Sequence, residues 1–449
     1  MKKMVEAMQE KRKAWLMMLL IVAFVLGACG SGSGSSGGQQ SSSPSPSASA
    51  PAAGGEPAAG GEKVTIDYWY WVDDAQNDTI AQLIEKFNAE HPNIEVKGRL
   101  IPFNEFQQTL INAYASNDLP DASRFKDWWV GQFANNDLLE PLDGYIQNLD
   151  YKGDIDEPFW KTGKTADPNS PVYMMPHQYI TFYLYYRKDL FEQAGLNPPA
   201  TFDDFLNAAI KLTDPAKGQY GFAYRGGGGG QDQWYAFLLA GGARMLDENG
   251  NVIINNAKGV EANQWYLDLV TRHKVAPPTA ASDSYAQILA GFQAGTTAMM
   301  AHHIGSYETL YQTHGDKLGV VPIPQADPNN PATMGTMTGN VLYKSSGHKD
   351  AAWTFLAWLS GPEATDILSK STNGQLPVLK SLTDKPEYRE RNEGWKVALE
   401  SEKFAITWPP FEGVGKIAGS VWKENNDLAL FGQITSQQMM DAIAKALTE

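Results

Sequence analysis

Two changes of hydrophobic period near the start of the globular body limit the fold more than any other feature. Val64 to Trp71 alternates and is rich in aromatic and β-branched residues, which predicts a strand. From Asp78 the apolar residues fall at helical spacing, and this helix must end before Pro92. Residues 94–96 then resume a strand. A strand, a helix and a strand in about 35 residues form the βαβ unit of an open α/β sheet, where ligands collect at the carboxyl ends of strands.

The same mixture of helix and strand patterns continues to the end of the chain. Thr201, followed by Asp204, predicts a capping box at the start of another helix. The body from Lys63 to Glu449 has about 390 residues, which is too many for one hydrophobic core around a single sheet, so two α/β lobes are expected. Further helices are expected over 260–272, 350–359, 362–369 and 436–447, and further strands over 220–224, 297–301, 318–322 and 339–343.

The beginning of the chain has the composition of an export signal. Five basic residues between Lys2 and Lys13 precede an apolar run, residues 14–25, that is too short for an ordinary membrane span. The next four residues, Leu26 to Cys29, resemble a bacterial lipobox, in which the cysteine is lipidated after cleavage. Residues 1–28 are therefore predicted to be a lipoprotein signal peptide, with Cys29 as the lipidation site. The alternative is an ordinary signal peptide followed by an unpaired cysteine.

A flexible tether is predicted to join this anchor to the body, over residues 29–62. Residues 30–62 contain only Gly, Ser, Ala, Pro, Gln and two Glu, a composition that cannot bury enough apolar surface to fold. A flexible chain of this length has a mean reach of roughly 30 Å. The sequence thus predicts a globular body held near a membrane surface.

Charge and cysteine content exclude several classes of protein. The chain has 36 Lys and Arg residues against 51 Asp and Glu, a formal net charge of -15, whereas nucleic acids require a basic surface. Nucleic-acid binding is therefore not expected. A single cysteine excludes a disulfide framework and a cysteine-based zinc site. We expect no metal site and no cofactor.

Six segments carry a resemblance to a known family. The most specific pair is LYYRKDLF from Leu184, running into AGLNPPATFDDF from Ala194. The others are LIEKFNAEHPNIEV from Leu83, AYASNDLPD from Ala113, GFQAGTTAM from Gly291 and GQLPV from Gly374. Together they resemble the extracytoplasmic solute-binding proteins of bacterial ABC transporters, in the large sugar-binding family that includes maltose-binding protein. The segments keep the family's order, so the resemblance covers the whole body.

The resemblance implies an α/β, two-lobed periplasmic-binding-protein-like fold, with three interlobe crossings and a ligand cleft between the lobes. The crossings are expected near Pro176, Gln325 and Leu376. They would divide the body into lobe 1, residues 63–175 plus 326–375, and lobe 2, residues 176–325 plus 376–449.

The same resemblance implies a function. The chain would be the extracellular, lipid-anchored binding component of an ABC importer and would act as a monomer. It would capture a carbohydrate, in our interpretation an oligosaccharide, by hinge closure. It would then deliver this ligand to permease subunits in the membrane, whose ATPase is a separate protein.

A sugar site needs flat aromatic rings for the apolar faces of the sugar, and donor and acceptor side chains for its hydroxyl groups. We expect such residues on loops at strand ends. Trp234 in particular is expected to stack on the ligand, placed by the flexibility of the five glycines at 226–230. The candidates are Trp71, Asp73, Asp74, Phe125, Asp127, Trp128, Trp129, His177, Gln178, Tyr179, Gln231, Asp232, Trp234, His302, His303, Asn340, Trp408 and Glu412.

Several candidates also have a purely structural interpretation. Trp71 is as compatible with the core as with a ligand contact, and Trp128 and Trp129 cannot both face a ligand from an extended segment. His302 and His303 are neighbours on a predicted strand, so their side chains should point to opposite faces and not share a metal ion. Five tryptophans within helical patterns are assigned to packing: Trp265, Trp353, Trp358, Trp395 and Trp422.

Alternatives to a sugar receptor remain open. An anchored glycoside hydrolase would need two carboxylates that face each other across the scissile bond, and acidic pairs are too common here to indicate one. A polyamine receptor of the same fold would favour an Asp-lined aromatic site, which Asp73 and Asp232 could supply. A receptor for a glycerol-phosphate-type solute would need basic residues such as Lys126 and Arg225. We expect a binding protein and no enzyme, because the body has no zincin helix, P-loop or serine elbow.

Overall fold

The computed structural model describes residues 63–73, 75–167, 169–372 and 374–448. The predicted signal peptide, Cys29, the tether and the candidate Asp74 lie outside the described residues. Within the described residues, no helix has both the length and the apolar character that a membrane crossing requires.

Eleven strands form two sheets in the described part of the chain. They are β1 (Val64–Tyr70), β2 (Ile94–Leu100), β3 (Ala122–Lys126), β4 (Met174–Thr181), β5 (Tyr183–Arg187), β6 (Tyr220–Phe222), β7 (Thr297–His302), β8 (Leu318–Pro322), β9 (Thr333–Leu342), β10 (Leu376–Pro377) and β11 (Ala405–Ile406). The first sheet has the order β10-β4-β9-β3-β1-β2, with β11 paired to β9, and the second has the order β6-β7-β5-β8. We call the first sheet with its helices the first lobe, and the second sheet with its helices the second lobe.

Helices accompany both sheets. They are α1 (Thr79–Glu90), α2 (Phe103–Ala115), α3 (Asp127–Asn135), α4 (Asp143–Ile146), α5 (Glu157–Lys161), α6 (Lys188–Ala194), α7 (Phe202–Lys211), α8 (Gly230–Ala240), α9 (Ala257–Thr271), α10 (Tyr285–Gln293), α11 (Tyr307–His314), α12 (Lys349–Leu359), α13 (Pro362–Lys370), α14 (Lys380–Thr383), α15 (Pro386–Arg389), α16 (Glu393–Glu402), α17 (Glu412–Lys416), α18 (Trp422–Leu430) and α19 (Ser436–Thr448). A π-helical turn, Ile417–Val421, joins α17 to α18.

The predicted βαβ unit is present at the start of the body. Strands β1 and β2 are parallel, with Val64 paired to Ile94, and α1 connects them. The side chain of Asp78 caps α1 by accepting a backbone N–H at 2.9 Å. The capping box of Thr201 and Asp204 is also formed, at the start of α7. Local sequence signals therefore placed these elements correctly.

The chain first passes between the sheets at Phe182. Strand β4 belongs to the first sheet, whereas β5, which begins at the next residue, belongs to the second. The expected crossing near Pro176 is therefore too early. Pro176 lies inside β4, where a register shift between Pro176 and Gln178 accommodates a residue that cannot donate a ladder hydrogen bond.

The return to the first sheet uses residues 323–332, between β8 and β9, and this segment includes Gln325. Leu376 is not at a crossing, because it pairs with Tyr179 of β4 as part of the first sheet. The C-terminal helices contact both lobes: α17 packs against α3, and α19 packs against α9. Residues 376–449 therefore do not belong to the second lobe alone.

The core of the first lobe is centred on β9. All ten residues of this strand are buried, and it lies antiparallel to β3 on one side and to β4 on the other. Because β9 follows the second lobe in sequence, the first sheet becomes continuous only when the chain has returned from the second lobe.

Candidate functional site

A cleft of about 330 Å³ lies between the two lobes. The first lobe contributes Trp71 and Asp73 beyond the end of β1, and Lys126 at the end of β3. The second lobe contributes Asp232 from the first turn of α8 and His302 at the end of β7. The carboxyl ends of strands thus form much of the cleft, as the βαβ pattern predicts.

The first-lobe wall is aromatic. The Trp71 ring packs against Phe106 and Trp129 at centroid distances of 5.0 and 5.7 Å, and only 2% of its surface is exposed. Arg124 is buried, and its Nη1 donates to the Trp71 carbonyl oxygen at 2.8 Å, which holds the loop after β1 in place. Phe103, at 5.4 Å from Trp71, is only half-buried and presents a ring to the cleft.

The second-lobe wall presents a ring as well. Tyr285, at the start of α10, is half-buried and stacks on His302 at a centroid distance of 4.4 Å. Both side chains bond to the Ser306 hydroxyl, at 3.1 Å from the Tyr285 hydroxyl and 2.6 Å from His302 Nδ1. Phe103 and Tyr285 therefore offer one partly exposed ring on each wall.

His302 and His303 both line the cleft, with ring centroids 4.0 Å apart, so the expectation that they point to opposite faces is wrong. The alternation of a strand does not apply, because β7 ends at His302 and a 3₁₀ turn begins at Ile304. Among the described residues, no three His, Cys, Asp or Glu side chains are grouped as a metal ion would require.

The two lobes touch through Asp73 and His303. His303 Nε2 lies 3.7 Å from an Asp73 carboxylate oxygen, which also accepts from the Gln375 amide at 3.4 Å. His303 Nδ1 accepts the Gly305 backbone N–H at 3.1 Å, which assigns the proton of the neutral ring to Nε2, the atom nearer Asp73. Burial lowers the pKa of His303 to about 4 and outweighs the opposing effect of Asp73.

Two acidic and two basic side chains line the cleft: Asp73, Asp232, Lys126 and Arg225. The Lys126 ammonium donates to the Thr338 hydroxyl at 3.0 Å, and burial lowers its pKa. Burial also raises the pKa of Asp232 to about 7, against the opposing effects of Lys126 and Arg225. Among the described residues, the cleft therefore holds equal numbers of acidic and basic side chains.

A second cavity of about 300 Å³ adjoins the cleft and shares Phe103, Asn104 and Gly228 with it. Its lining is aromatic and rich in side-chain amides: Trp128, Trp129, Gln107, Gln108, Gln132 and Gln231. The π-helical turn also lines it, with the small residues at 418–420. Such turns occur frequently at functional sites.

The predicted residues thus fall into three groups. The cleft is lined by Trp71, Asp73, Asp232, His302 and His303. The adjoining cavity is lined by Trp128, Trp129 and Gln231. The others within the described residues line neither space: Phe125, Asp127, His177, Gln178, Tyr179, Trp234, Asn340, Trp408 and Glu412.

The segment around Trp128 is not an extended loop. Phe125 lies in β3 and packs into the core against Phe133 at 5.1 Å. Asp127 begins α3, and its carboxylate accepts from the Thr336 hydroxyl at 2.6 Å and the Met337 backbone N–H at 3.0 Å. Asp127 therefore joins α3 to β9 instead of contacting a ligand.

The residues near the expected first crossing are buried within the first sheet. Asn340 of β9 accepts from the Tyr68 hydroxyl at 2.7 Å and lies 3.3 Å from His177 Nδ1. Burial lowers the pKa of His177 to about 3. Gln178 accepts from Arg124 at 3.0 Å, and Tyr179 packs on Phe159. These side chains therefore bond to one another inside the lobe, although His177 Nε2 and Arg124 Nε have no hydrogen-bond partner among the described residues.

Trp234 lies in the core of the second lobe. It is fully buried, and its indole N–H donates to Asn263 at 2.8 Å. Trp408 packs against Tyr235 at 4.3 Å, and the half-buried Glu412 begins α17. The expectation that Trp234 stacks on a ligand is wrong, because α8 begins at Gly230 and its helical turn directs the side chain inward.

The glycines at 226–230 serve close packing rather than flexibility. A Cβ atom on Gly226 would lie 2.4 Å from the carbonyl oxygen of Ala280, and one on Gly227 would lie 2.5 Å from that of Ser282. Gly229 has a φ of 79°, which other residues adopt only with strain. The glycines therefore let this segment lie against the loop at 280–283.

The cleft is also lined by residues that the sequence did not predict, among them Phe103, Lys126, Arg225, Tyr285 and Gln375. Phe103 and Tyr285 begin helices, whereas the sequence pattern indicates ligand contacts on loops at strand ends. The capping-box pattern of Ser284 and Gln287 could have marked the helix start at Tyr285. Lys126 and Arg225 were considered only as partners for a phosphate.

A cleft between two α/β lobes, with a ring on each wall and buried polar groups between them, defines a receptor for a small polar ligand. The chain belongs to the family of bacterial extracellular solute-binding proteins, whose family model matches residues 73–366. This family membership makes it a solute-binding protein and not an enzyme. The resemblance seen in the sequence and the two-lobed fold are confirmed.

Curated relatives and solved structures agree with this assignment. The chain is 26% identical to the mannitol-binding protein of Pseudomonas aeruginosa over 82% of its own length and 89% of that protein. It is 24% identical to the maltotriose-binding protein of Pyrococcus abyssi, over 74% of this chain and 70% of that one. The ABC transporter solute-binding protein of Thermotoga lettingae, solved with α-D-tagatose, shares the fold with a TM-score of 0.78 at 23% identity, over 86% of this chain and 99% of that one.

The burial of Trp234 predicts a stability defect. We expect Trp234→Ala to lower the free energy of unfolding by about 3–5 kcal/mol, because it leaves a large cavity and removes the donor to Asn263 Oδ1. The affinity of the folded protein for its ligand should not change. Urea denaturation measures the effect, with Phe431→Ala, at a side chain 69% exposed, as a control within about 0.5 kcal/mol of wild type. If Trp234→Ala bound its ligand more weakly but kept the stability of the wild type, Trp234 would be a ligand-contacting residue.

The buried His303 predicts a pH-dependent stability. Its folded pKa, about 4, is below the ordinary 6.5, so the unfolded chain takes up the proton first as the pH falls. Stability is therefore lost between about pH 6.5 and pH 4. Relative to His303→Gln, the wild type should lose on the order of 1–2 kcal/mol between pH 7 and pH 5 in urea denaturation. His348→Gln, at an exposed position, should leave the wild-type dependence intact. Parallel pH profiles for wild type and His303→Gln would contradict this prediction.

Proposed function

We propose that the protein captures a carbohydrate in the cleft between its lobes. The observation that carries the proposal is the pairing of Phe103 on one wall with Tyr285 on the other, around buried polar side chains. Rings of this kind cover the C–H faces of a sugar, while the polar groups bond to its hydroxyls. The relatives named for mannitol and maltotriose support a polyhydroxylated ligand.

The charges of the cleft argue against the two other ligand classes. A polyamine would meet Lys126 and Arg225, and a phosphate would meet Asp73 and Asp232. With balanced charge, an ionic ligand of either sign gains little net attraction but still pays the cost of desolvation. A neutral polyol or sugar avoids this difficulty and can bond to groups of both signs.

The adjoining cavity favours an oligosaccharide over a single sugar. The two spaces are joined through Phe103, Asn104 and Gly228, so a ligand that fills the cleft can extend past Phe103. The tryptophans and amides of the second cavity supply the ring and hydrogen-bonding surfaces that another sugar unit needs.

Hinge closure at the passages between the lobes is the proposed capture mechanism. Phe182 and residues 323–332 join the two sheets, and a ligand between them contacts both lobes only in the closed form. On this basis the first lobe contains residues 63–181 and 333–377 together with β11, and the second contains 183–322, while the C-terminal helices pack against both.

Delivery to a membrane partner completes the proposal. The family resemblance supports presentation of the closed, monomeric form to an ABC permease with a separate ATPase. The lipobox-like Leu26 to Cys29 supports an anchor on the extracellular side of the cell membrane, with residues 29–62 as its tether. The signal peptide would end at residue 28.

A thermal-shift panel tests the ligand class. Maltotriose, D-mannitol and D-tagatose are compared with spermidine and glycerol 3-phosphate, each at saturating concentration. We expect at least one of the three neutral compounds to stabilise the protein by about 2.7 kcal/mol when present at a hundred times its dissociation constant. Stabilisation by spermidine or by glycerol 3-phosphate alone would contradict a carbohydrate receptor.

Tyr285 tests the position of the site. Tyr285→Ala should weaken binding of the stabilising sugar by about 10- to 100-fold, because a stacking surface is lost, while Tyr285→Phe should retain most of the affinity. Calorimetric titration measures both, with Tyr114→Ala, an exposed tyrosine outside both cavities, as the matched control. Equal affinity of Tyr285→Ala and Tyr114→Ala would place the ligand elsewhere.

A further inference from the structure

Lys126 of the first lobe and Asp232 of the second lobe line the same cleft, and no ion pair or hydrogen bond joins them among the described residues. After burial, Asp232 has the largest influence on the pKa of Lys126, and Lys126 has the largest on that of Asp232. The Lys126 ammonium has three N–H bonds and, among the described residues, one acceptor, Thr338. The space between these two residues is called the Lys126–Asp232 gap.

The Asp232 carboxylate has unused hydrogen-bonding capacity among the described residues. It is 5% exposed, and its Oδ1 has no hydrogen-bond partner among the described residues. A buried carboxylate in this state is costly, and a donor that reaches it is correspondingly favourable. The gap therefore offers an acceptor on one lobe and unused donors on the other.

The surroundings of Asp232 set its protonation. Lys126 and Arg225 favour the charged form, as does the nearby Trp408 indole, whose N–H makes no hydrogen bond among the described residues, while Asp127 opposes it. Asp73, His302 and His303 line the same cleft, and burial lowers the pKa of both histidines, which keeps them neutral at pH 7. The dominant effect is burial, which raises the pKa of Asp232 to about 7, so that protonated and ionised carboxyl groups coexist near neutral pH.

We propose that two hydroxyl groups of the ligand bridge the Lys126–Asp232 gap, and that this binding expels a proton from Asp232. One hydroxyl donates its O–H to the ionised carboxylate, and the oxygen of the other accepts an N–H from Lys126. The proton that leaves Asp232 goes to solvent, and the ligand is chemically unchanged. This inference rests on the proposed capture of a carbohydrate.

The bridge has a consequence for affinity. A hydroxyl that donates to the carboxylate stabilises its ionised form, so the pKa of Asp232 falls when the ligand binds. Protons and ligand therefore compete, and affinity should decrease as the pH drops below about 7, by up to about tenfold per pH unit. Above this range the carboxyl is ionised in both states, and its contribution no longer varies.

Proton counting by calorimetry tests the bridge. The full chain is titrated at pH 7 with whichever of maltotriose, D-mannitol and D-tagatose stabilises it most, in PIPES and in imidazole buffers, which differ in ionisation enthalpy. We expect the release of a fraction of a proton per ligand, with the fraction increasing as the starting pH is lowered. Asp232→Asn should abolish this release and weaken binding by about 10- to 100-fold.

Two further variants separate the bridge from other charges in the cleft. Lys126→Met should also weaken binding. The double variant, Lys126→Met with Asp232→Asn, should have nearly the same ligand affinity as whichever single variant binds less tightly, because each change breaks the same bridge. Asp73→Asn removes a carboxylate that contacts Gln375 and His303 instead, so proton release should persist. Circular dichroism and thermal melts confirm that each variant is folded.

The outcomes distinguish the two proposals. If none of the three sugars binds, the carbohydrate function fails and the bridge fails with it. If a sugar binds with equal heat in both buffers, or Asp232→Asn releases as many protons as wild type, the bridge is overturned and the carbohydrate function stands. Additive losses in the double variant would show that Lys126 and Asp232 contact the ligand independently.

Discussion

The insertion of β9 between β3 and β4 is the interaction on which the rest of the structure depends. Its hydrogen bonds to both neighbours close the first sheet with a strand that arrives after the second lobe. They also position the cleft wall, because Thr338 of β9 bonds to Lys126 and Met337 bonds to Asp127 at the start of α3. Since the chain must leave through Phe182 and return before Thr333, the two lobes are joined by closely spaced segments. A cleft at this junction follows from the topology.

The cleft combines a well-packed wall with buried polar groups that lack some of their hydrogen-bond partners among the described residues. Arg124 holds the Trp71 carbonyl, and the ring of Trp71 packs among other aromatic rings, so the first wall is largely preformed. Asp232, in contrast, has an unpaired oxygen, and Lys126 is buried with a single acceptor among the described residues. A scaffold can maintain buried groups of this kind only where surrounding packing enforces them. Their remaining hydrogen-bonding capacity is what a polar ligand can use.

Local signals in the sequence predicted the elements well but the site only in part. Asp78 and Thr201 cap helices where their patterns placed them, because capping depends on residues three positions apart. Asn340 and His177 were expected to contact a ligand, yet they bond within the first lobe, since their burial depends on strands distant in sequence. Trp234 shows the same limit: the helix that follows the glycines turns its ring toward Asn263.

The sequence by itself determined the α/β class and the family, because these depend on hydrophobic period, caps and ordered motifs that lie close together along the chain. The family resemblance in turn implied a cleft between two lobes. The sequence also indicated Trp71, Asp73, Asp232, His302 and His303, which follow strands or begin a helix near the cleft. Only the tertiary structure decided that Phe103 and Tyr285 line the same cleft and that Lys126 and Asp232 do so as well. Those pairs join residues more than a hundred positions apart, and their approach is set by strand pairing and lobe packing, which no local pattern encodes.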